Sequence, residues 1–249
     1  MKLSLIAPLL LVLSLPALAV ENDADRSSQV PRLRTELAAG YYARGQYGVA
    51  LQEVDKALAA DSSYAPAYYV QGLVYMDLQE FDTADKSFRR AVSLDPTEPN
   101  ANHNYGWFLC NKRKAYKESI PYFLAALKNP LYNTPEKSQQ QAGLCALKAG
   151  DTAAAATYLR QADRAQPDNP QTLYGLALLS YQRGDFEAAR NMLSRQARLG
   201  QGGAEELWLN LRVENKLGNT DNVAGFGKEL KTRFPDSEEA RLLAAGQYD

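Results

Sequence analysis

Residues 65–98 read APAYYVQGLVYMDLQEFDTADKSFRRAVSLDPTE, and the rest of the chain repeats their plan. In this stretch Gly72 sits in a first apolar segment, Phe81, Ala84 and Phe88 in a second, and Pro96 closes the unit. Outward from Gly72, small residues recur at Ala38, Gly106, Gly143 and Ala177, so that the series runs at intervals of 34, 34, 37 and 34. A second series, Ala50, Ala84, Ser119, Ala155 and Ala189, follows nearly the same beat, at intervals of 34, 35, 36 and 34. Gly45, Gly150, Gly184 and Gly218 fall at the turn between two helices, and Pro167 and Pro235 close units as Pro96 does. Tyr47, Phe81, Tyr116 and Phe186 precede the second helix, and Phe88, Phe123, Leu159 and Leu193 lie within it. This order predicts antiparallel helix pairs. A small residue where the helices cross lets the backbones approach, and large residues from the neighbouring unit are expected to fill the gap. No unit buries its apolar face alone, so stability must come from stacking.

A period of 34 residues with this order of small and large positions resembles the tetratricopeptide repeat (TPR) over nearly the whole chain. The resemblance implies an all-α fold, a right-handed TPR superhelix of about six helix-turn-helix repeats. They span 31–64, 65–98, 99–135, 136–169, 170–203 and 204–237. The third is longer, with the extra length around Asn111 to Lys114 and Asn129 to Pro135. The sixth departs most, carrying Leu211, Val223 and Gly227 where small or aromatic residues are usual. Residues 238–249 place Leu242, Leu243 and Tyr248 at helical spacing and are expected to cap the open end.

The chain begins with targeting features. Lys2 supplies a positive n-region, Leu3 to Leu15 an apolar core, and Pro16-Ala17-Leu18-Ala19 a small-x-small cleavage pattern. We expect a signal peptide at 1–19; the apolar run is short for a permanent anchor, which needs about 20 residues. Residues 20–30, VENDADRSSQV, are polar and aperiodic and read as a flexible tether. The mature protein is then exported, most simply to a periplasm.

Composition excludes several function classes. Lys and Arg number 28 against 29 Asp and Glu, a net charge of −1, so no basic patch is expected to hold nucleic acid. One histidine and two cysteines fall short of a four-ligand metal set, and no cofactor or small-molecule substrate is expected. His103 has no nucleophile placed beside it by any recognisable motif, the glycines follow the repeat rather than a phosphate loop, and repeats at 31–237 leave no room for a catalytic module. A non-catalytic, protein-binding chain is the expectation. Cys110 and Cys145 fall on the first helices of repeats three and four. An oxidising compartment favours a disulfide between them, and two separately buried thiols are the alternative.

In the TPR family, ligands lie along the concave face built by the first helices. The resemblance places Tyr42, Tyr69, Leu73, Met76, His103, Trp107, Asn111, Leu144, Tyr174, Tyr181 and Trp208 on that groove. Glu36, Ala39, Asp77, Cys110, Gln140, Leu147, Leu178, Arg212 and Asn215 are carried to the same face. Aromatics on a groove are suited to anchoring a protein segment, although some of these rings can pack between repeats instead. Glu36 and Ala39 stand where chaperone-binding TPR domains carry a Lys and Asn carboxylate clamp, so that use is not expected.

A narrower resemblance is carried by Asn102-His103-Asn104-Tyr105-Gly106-Trp107-Phe108-Leu109-Cys110, Tyr122-Phe123, Asn129-Pro130-Leu131-Tyr132-Asn133-Thr134-Pro135 and Ala142-Gly143-Leu144-Cys145. With the six repeats and Leu230-Lys231-Thr232-Arg233-Phe234-Pro235, this is similar to the type IV pilus biogenesis and stability family, PilW/PilF. The resemblance implies an adaptor that binds the secretin subunit or another pilus component and assists outer-membrane secretin assembly. The alternative is a periplasmic TPR scaffold for another envelope complex, such as cytochrome maturation or cell-wall machinery. One departure stands out. Family members are typically lipoproteins, but Ala17-Leu18-Ala19-Val20 offers no lipid-bearing cysteine and none occurs before Cys110. Membrane association is therefore expected through partners only.

Overall fold

The computed structural model describes residues 23–200 and 202–248. The expected signal peptide and residues 20–22 of the expected tether lie outside them. Among the described residues the chain forms thirteen helices and no strand. The first three pairs are α1 (Asp23–Tyr42) with α2 (Tyr47–Ala60), α3 (Ala65–Asp77) with α4 (Phe81–Leu94), and α5 (Pro99–Asn111) with α6 (Tyr116–Leu127). Then come α7 (Pro135–Lys148) with α8 (Thr152–Ala165), α9 (Pro170–Gln182) with α10 (Phe186–Ala197), and α11 (Ala204–Lys216) with α12 (Thr220–Arg233). A short α13 (Glu238–Ala244) follows. Each pair packs most heavily on itself and otherwise touches only its neighbours, as a solenoid of nearest-neighbour contacts must.

Local chemistry sets the helix ends. Pro66, Pro99, Pro135 and Pro170 lie in the first turns of α3, α5, α7 and α9, where a missing N–H needs no partner. The side chains of Asp151, Asp185, Asn219 and Ser237 each accept the backbone N–H three residues on. The turn inside a repeat needs a left-handed residue, and Gly45, Gly150, Gly184 and Gly218 supply it with φ of 70°, 80°, 77° and 75°. Repeats two and three place Gln79 (φ 63°) and Lys114 (φ 55°) there instead.

The backbone departs from the sequence reading at the first helix. Asp23 to Val30, read as tether, are the start of α1. Pro31 stands where the other first helices begin, yet no glycine or other proline lies between 23 and 30 to stop the helix propagating N-terminally.

The small-to-large pairing is the core of the fold. A Cβ built on Gly72 would stand 2.7 Å from the Phe88 ring, one on Gly106 3.0 Å from Phe123, and one on Gly143 2.6 Å from Leu159. The large partner therefore comes from the second helix of the same repeat, not from the neighbour as expected. It then reaches onward: Phe88 lies 5.9 Å from Tyr105 and 5.5 Å from Phe108, both on α5. Leu159 likewise meets Gly175 on α9, 3.0 Å from its built Cβ. Phe88, Phe123 and Leu159 are fully buried, so each ring or branch cements its own pair and the next helix at once.

The sixth repeat reverses the sizes. Leu211 takes the small position and Gly227 the large one, and a Cβ on Gly227 would meet Leu243 at 3.3 Å and Leu211 at 3.6 Å. Leu243 belongs to α13, so the exchange keeps the volume and lets the last helix share the filling. Arg190 of α10 adds a two-pronged ion pair to the buried Glu214 of α11, at 2.7 and 2.9 Å.

Repeat three absorbs its extra residues without disorder. The loop 128–134 is tied by Asn129, whose amide donates to the Thr97 carbonyl (3.0 Å) and whose oxygen accepts from the Leu131 N–H (2.9 Å). Tyr132 tucks inward and Leu131 stands 82% exposed. Next to this loop α6 packs against α7 more extensively than other second helices pack on the helix that follows. The sulfurs of Cys110 and Cys145 are joined there, with Cα atoms 6.1 Å apart, inside an apolar cluster with Phe123 and Ala142. The bridge is buried, so Cys110 does not serve the concave face to which the resemblance carried it.

Two measurements test this packing. Gly72→Ala should lower the unfolding free energy by about 1–3 kcal/mol through overpacking against Phe88. Gly225→Ala, inside α12 with open space at the built Cβ, should raise it by about 0.5–1 kcal/mol. Urea titrations of both variants check the sign, and equal effects would dismiss the close-approach argument. Replacing both Cys110 and Cys145 with Ala should cost roughly 2–4 kcal/mol, because the bridge closes a loop of about 35 residues. A loss below about 1 kcal/mol would assign the join between repeats three and four to side-chain packing alone.

Candidate functional site

The odd-numbered helices, α1 to α13, form one wall of the solenoid and contact one another directly. Residues about one period apart meet across that wall. The Tyr42 hydroxyl donates to the Asp77 carboxylate (2.9 Å), and the Asn104 amide donates to the Tyr69 hydroxyl (3.1 Å). Lys148 Nζ donates to Asn111 Oδ1 (3.4 Å). These bonds spend part of the polar capacity of the expected groove residues on tying neighbouring repeats together. Burial, with help from Asp77, pushes the Tyr42 phenol well above its ordinary range. Burial, with the charge of Glu98, pushes Tyr69 up to about 12. Both phenols are neutral at any physiological pH, Tyr42 as donor and Tyr69 as acceptor.

Among the described residues of this wall, His103 makes a contact that resembles a catalytic pair. Its Nδ1 lies 2.8 Å from Ser138 Oγ. Ser138 Oγ also lies 3.1 Å from the Tyr132 hydroxyl, so the three side chains form one hydrogen-bonded chain. Ser138 is 0% exposed, so its hydroxyl is closed off from solvent and from any substrate. The triad joins α5, the loop before α7, and α7 itself. Burial, with the Lys137 charge, lowers His103 to about 4.

Several expected groove residues are drawn into the packing. Met76 is 8% exposed and belongs to the core with Phe88, Tyr105 and Phe108, so it offers no surface to a ligand. Leu73 and Trp107 pack half-buried on the same cluster, with Lys112 Nζ 5.6 Å from the centre of the Trp107 ring. Tyr181 packs on Phe186 at 5.4 Å and lies under the Arg212 guanidinium at 4.5 Å. Trp208 is also 8% exposed, stacked 6.1 Å from Tyr248 beyond α13. It remains on the wall only as the floor of a depression. The physical reason is the same in each case: a helix buries roughly a third of its circumference against each neighbour, and one residue of register moves a side chain by about 100°.

The depression is where the expected residues do come together. Leu144 of α7, Tyr174 of α9 and Trp208 of α11 line a hollow of about 380 Å³ together with Leu147, Leu178 and Arg212. Every lining residue comes from a first helix or from α13, so the hollow opens on the wall those helices build. The sequence reading missed Glu205, Glu238, Glu239 and Leu242, which complete its rim and side. Leu242 was legible as apolar cap. Nothing in the one-dimensional pattern said that α13 would continue the row of first helices and face Tyr174. Among the described residues there is no group of three or more His, Cys, Asp or Glu that could hold a metal ion. No helix of the described residues is long and apolar enough to cross a membrane.

Comparison with known proteins agrees with this architecture. Models of the tetratricopeptide repeat match residues 65–98 and 146–212. The type IV pilus assembly protein PilF of Pseudomonas aeruginosa is 30% identical over 212 residues, covering 84% of this chain and 83% of that protein. The crystal structure of PilW, a widely conserved type IV pilus biogenesis factor, superposes with a TM-score of 0.76 at 32% identity over 87% of this chain and 99% of that one. A solved structure of Pseudomonas aeruginosa PilF superposes with a TM-score of 0.77 at 27% identity over 89% and 99%.

The buried histidine has a pH signature. In the unfolded chain it titrates near 6.5, while in the fold it takes a proton only near 4. Between those values acid protonates the unfolded chain alone. The stability present above about pH 6.5 is therefore lost as the pH falls towards 4. His103→Gln should remove on the order of 2 kcal/mol of the stability difference between about pH 7 and about pH 4.5. Urea midpoints of wild type and variant at the two pH values check it; parallel pH profiles would mean His103 is not neutral in the fold.

Proposed function

The chain belongs to the type IV pilus biogenesis family of PilF and PilW, and from that premise we propose that it is a non-catalytic, protein-binding adaptor that assists assembly of the outer-membrane secretin. The observation that carries the reading is the end-to-end match: the whole PilW fold, to 99% of its length, is present here at 32% identity. A solenoid of helix pairs offers an extended inner wall rather than an enclosed cleft, and that geometry suits a segment of another protein. The near-balanced charge gives no support to nucleic acid as the ligand.

The adaptor acts on the far side of the inner membrane, in the periplasm, as the leader-like residues 1–19 suggest. Its client is a secretin subunit or another pilus assembly component, held along the first helices, and it reaches the outer membrane through that client. The polar ties between neighbouring repeats stiffen the wall between Tyr42 and Lys148, which lowers the conformational cost of binding an extended segment.

Purified chain used as bait on envelope extracts of a piliated host tests this. Recovery of the secretin subunit is the expected outcome, together with restored detergent-resistant secretin rings when the chain replaces the host's own relative. Recovery of a different envelope complex without secretin would replace the pilus reading with a general periplasmic scaffold.

A further inference from the structure

The hollow between α7, α9, α11 and α13 has a composition that selects its occupant. Its floor is apolar, built from Leu144, Leu178 and Trp208, and at about 380 Å³ it lies at the small end of ligand pockets, roughly 300–1,000 Å³. Three carboxylates, Glu205, Glu238 and Glu239, stand around it. Among the described residues none of the three forms a salt bridge. Two cations, Arg212 and Lys148, line the same hollow, and although both keep their charge, which leaves the lining at a formal −1, their donors are directed at neutral partners. Arg212 donates to the Tyr248 carbonyl (2.9 Å) and covers the Tyr181 ring, and Lys148 donates to Asn111 and lies over Tyr116 at 6.0 Å.

Carboxylates in the first turns of α11 and α13 favour those helix dipoles, which accounts for their presence in each helix separately. Because α11 and α13 are successive, touching helices of the wall, their first turns lie side by side and bring Glu205, Glu238 and Glu239 around a single apolar floor. Tyr174 reports the result. Its hydroxyl has no hydrogen-bond partner among the described residues, and its phenol is raised first by burial and then by Glu205, Glu206 and Glu239, against the smaller opposing charge of Arg212. The hollow is apolar at its base, negative at its mouth, and holds an uncommitted hydroxyl.

We infer that this hollow is a docking site for one large apolar side chain flanked by lysine or arginine on an extended segment of a protein partner. The inference rests on the inner wall being a protein-binding surface and names the chemistry that one part of it selects. The apolar side chain seats on Leu144, Leu178 and Trp208. The flanking cations pair with Glu205, Glu238 and Glu239, and the Tyr174 hydroxyl is placed to meet a backbone group of the segment.

The chain contains two tryptophans, so Trp107→Phe leaves Trp208, on the floor of the hollow, as the sole reporter. The probe is a blocked seven-residue peptide with one central phenylalanine between paired lysines. Controls carry glutamates in place of the lysines, or serine in place of the phenylalanine. The expected result is a saturable change in Trp208 emission with the lysine peptide. Both controls should bind at least about tenfold more weakly, and raising salt from about 0.05 to 0.5 M should weaken the lysine peptide several-fold. Glu205→Gln/Glu239→Gln should weaken it about three- to tenfold, with the thermal midpoint lowered by no more than a few degrees through the lost helix-dipole charges. Calorimetry on the same samples covers a binding mode silent to Trp208.

Equal binding of the glutamate peptide, indifference to the double substitution, or no heat and no emission change up to about millimolar peptide would each overturn the inference. Those failures are separable from failure of the pilus reading. Secretin recovery without peptide binding refutes only the hollow, and peptide binding without secretin recovery refutes only the pilus assignment.

Discussion

A glycine under a buried ring or branched side chain is the contact on which this structure depends. Gly72 beneath Phe88, Gly106 beneath Phe123 and Gly143 beneath Leu159 bring two helix backbones closer than any Cβ would allow. The large residue then projects past its own pair into the next first helix. Intra-repeat packing and stacking are thus the same interaction seen from two sides, and neither survives without the other. Fully burying a side chain of this size contributes on the order of 2–3 kcal/mol, which is why a chain of small helix pairs folds as one body. The sixth repeat shows that the constraint is one of volume rather than of residue identity. Leu211 and Gly227 exchange the roles of small and large, and α13 supplies Leu243 to complete the fit.

The wall raised on this core divides into two regimes. Towards the N-terminal end, its polar residues are consumed in holding neighbouring first helices together, through Tyr42 with Asp77, Tyr69 with Asn104 and His103 with Ser138. In the middle, the Cys110–Cys145 bridge and the close packing of α6 on α7 join repeats three and four beside the enlarged loop. Towards the C-terminal end, Leu144, Tyr174 and Trp208 open into a hollow lined by three carboxylates that form no salt bridge among the described residues. A partner segment that bridges both regimes would meet a stiff rail at one end and a selective socket at the other. Interfaces commonly divide in this way, into a few energetic anchors and a larger complementary surface.

Much of this was legible in the sequence, and the reason is dimensional. A solenoid is nearly one-dimensional: each unit touches only the next, so a spacing of about 34 residues between Gly72, Gly106 and their equivalents encodes both the helix pairs and their stacking. The turn glycines and the proline-marked loops follow from backbone rules that act within a few residues. What the pattern could not carry was the depth of each side chain on the wall. Met76 and Trp208 share the expected face with Tyr69 and Tyr174 but are buried, because exposure depends on contacts with helices about 35 residues away.

By itself the sequence determined the all-α repeat architecture, the positions where backbones approach, and the resemblance that assigned the family, since all three reside in local spacing and local strings. Only the tertiary structure decided that Asp23 to Val30 join the first helix and that the large partner of each glycine lies in its own repeat. It alone decided that α13 turns Glu238, Glu239 and Leu242 onto the inner wall. The physical reason is that these outcomes depend on which surfaces face one another after stacking. A periodic sequence names the units that will meet, but the angle and depth at which they meet are set by packing volume.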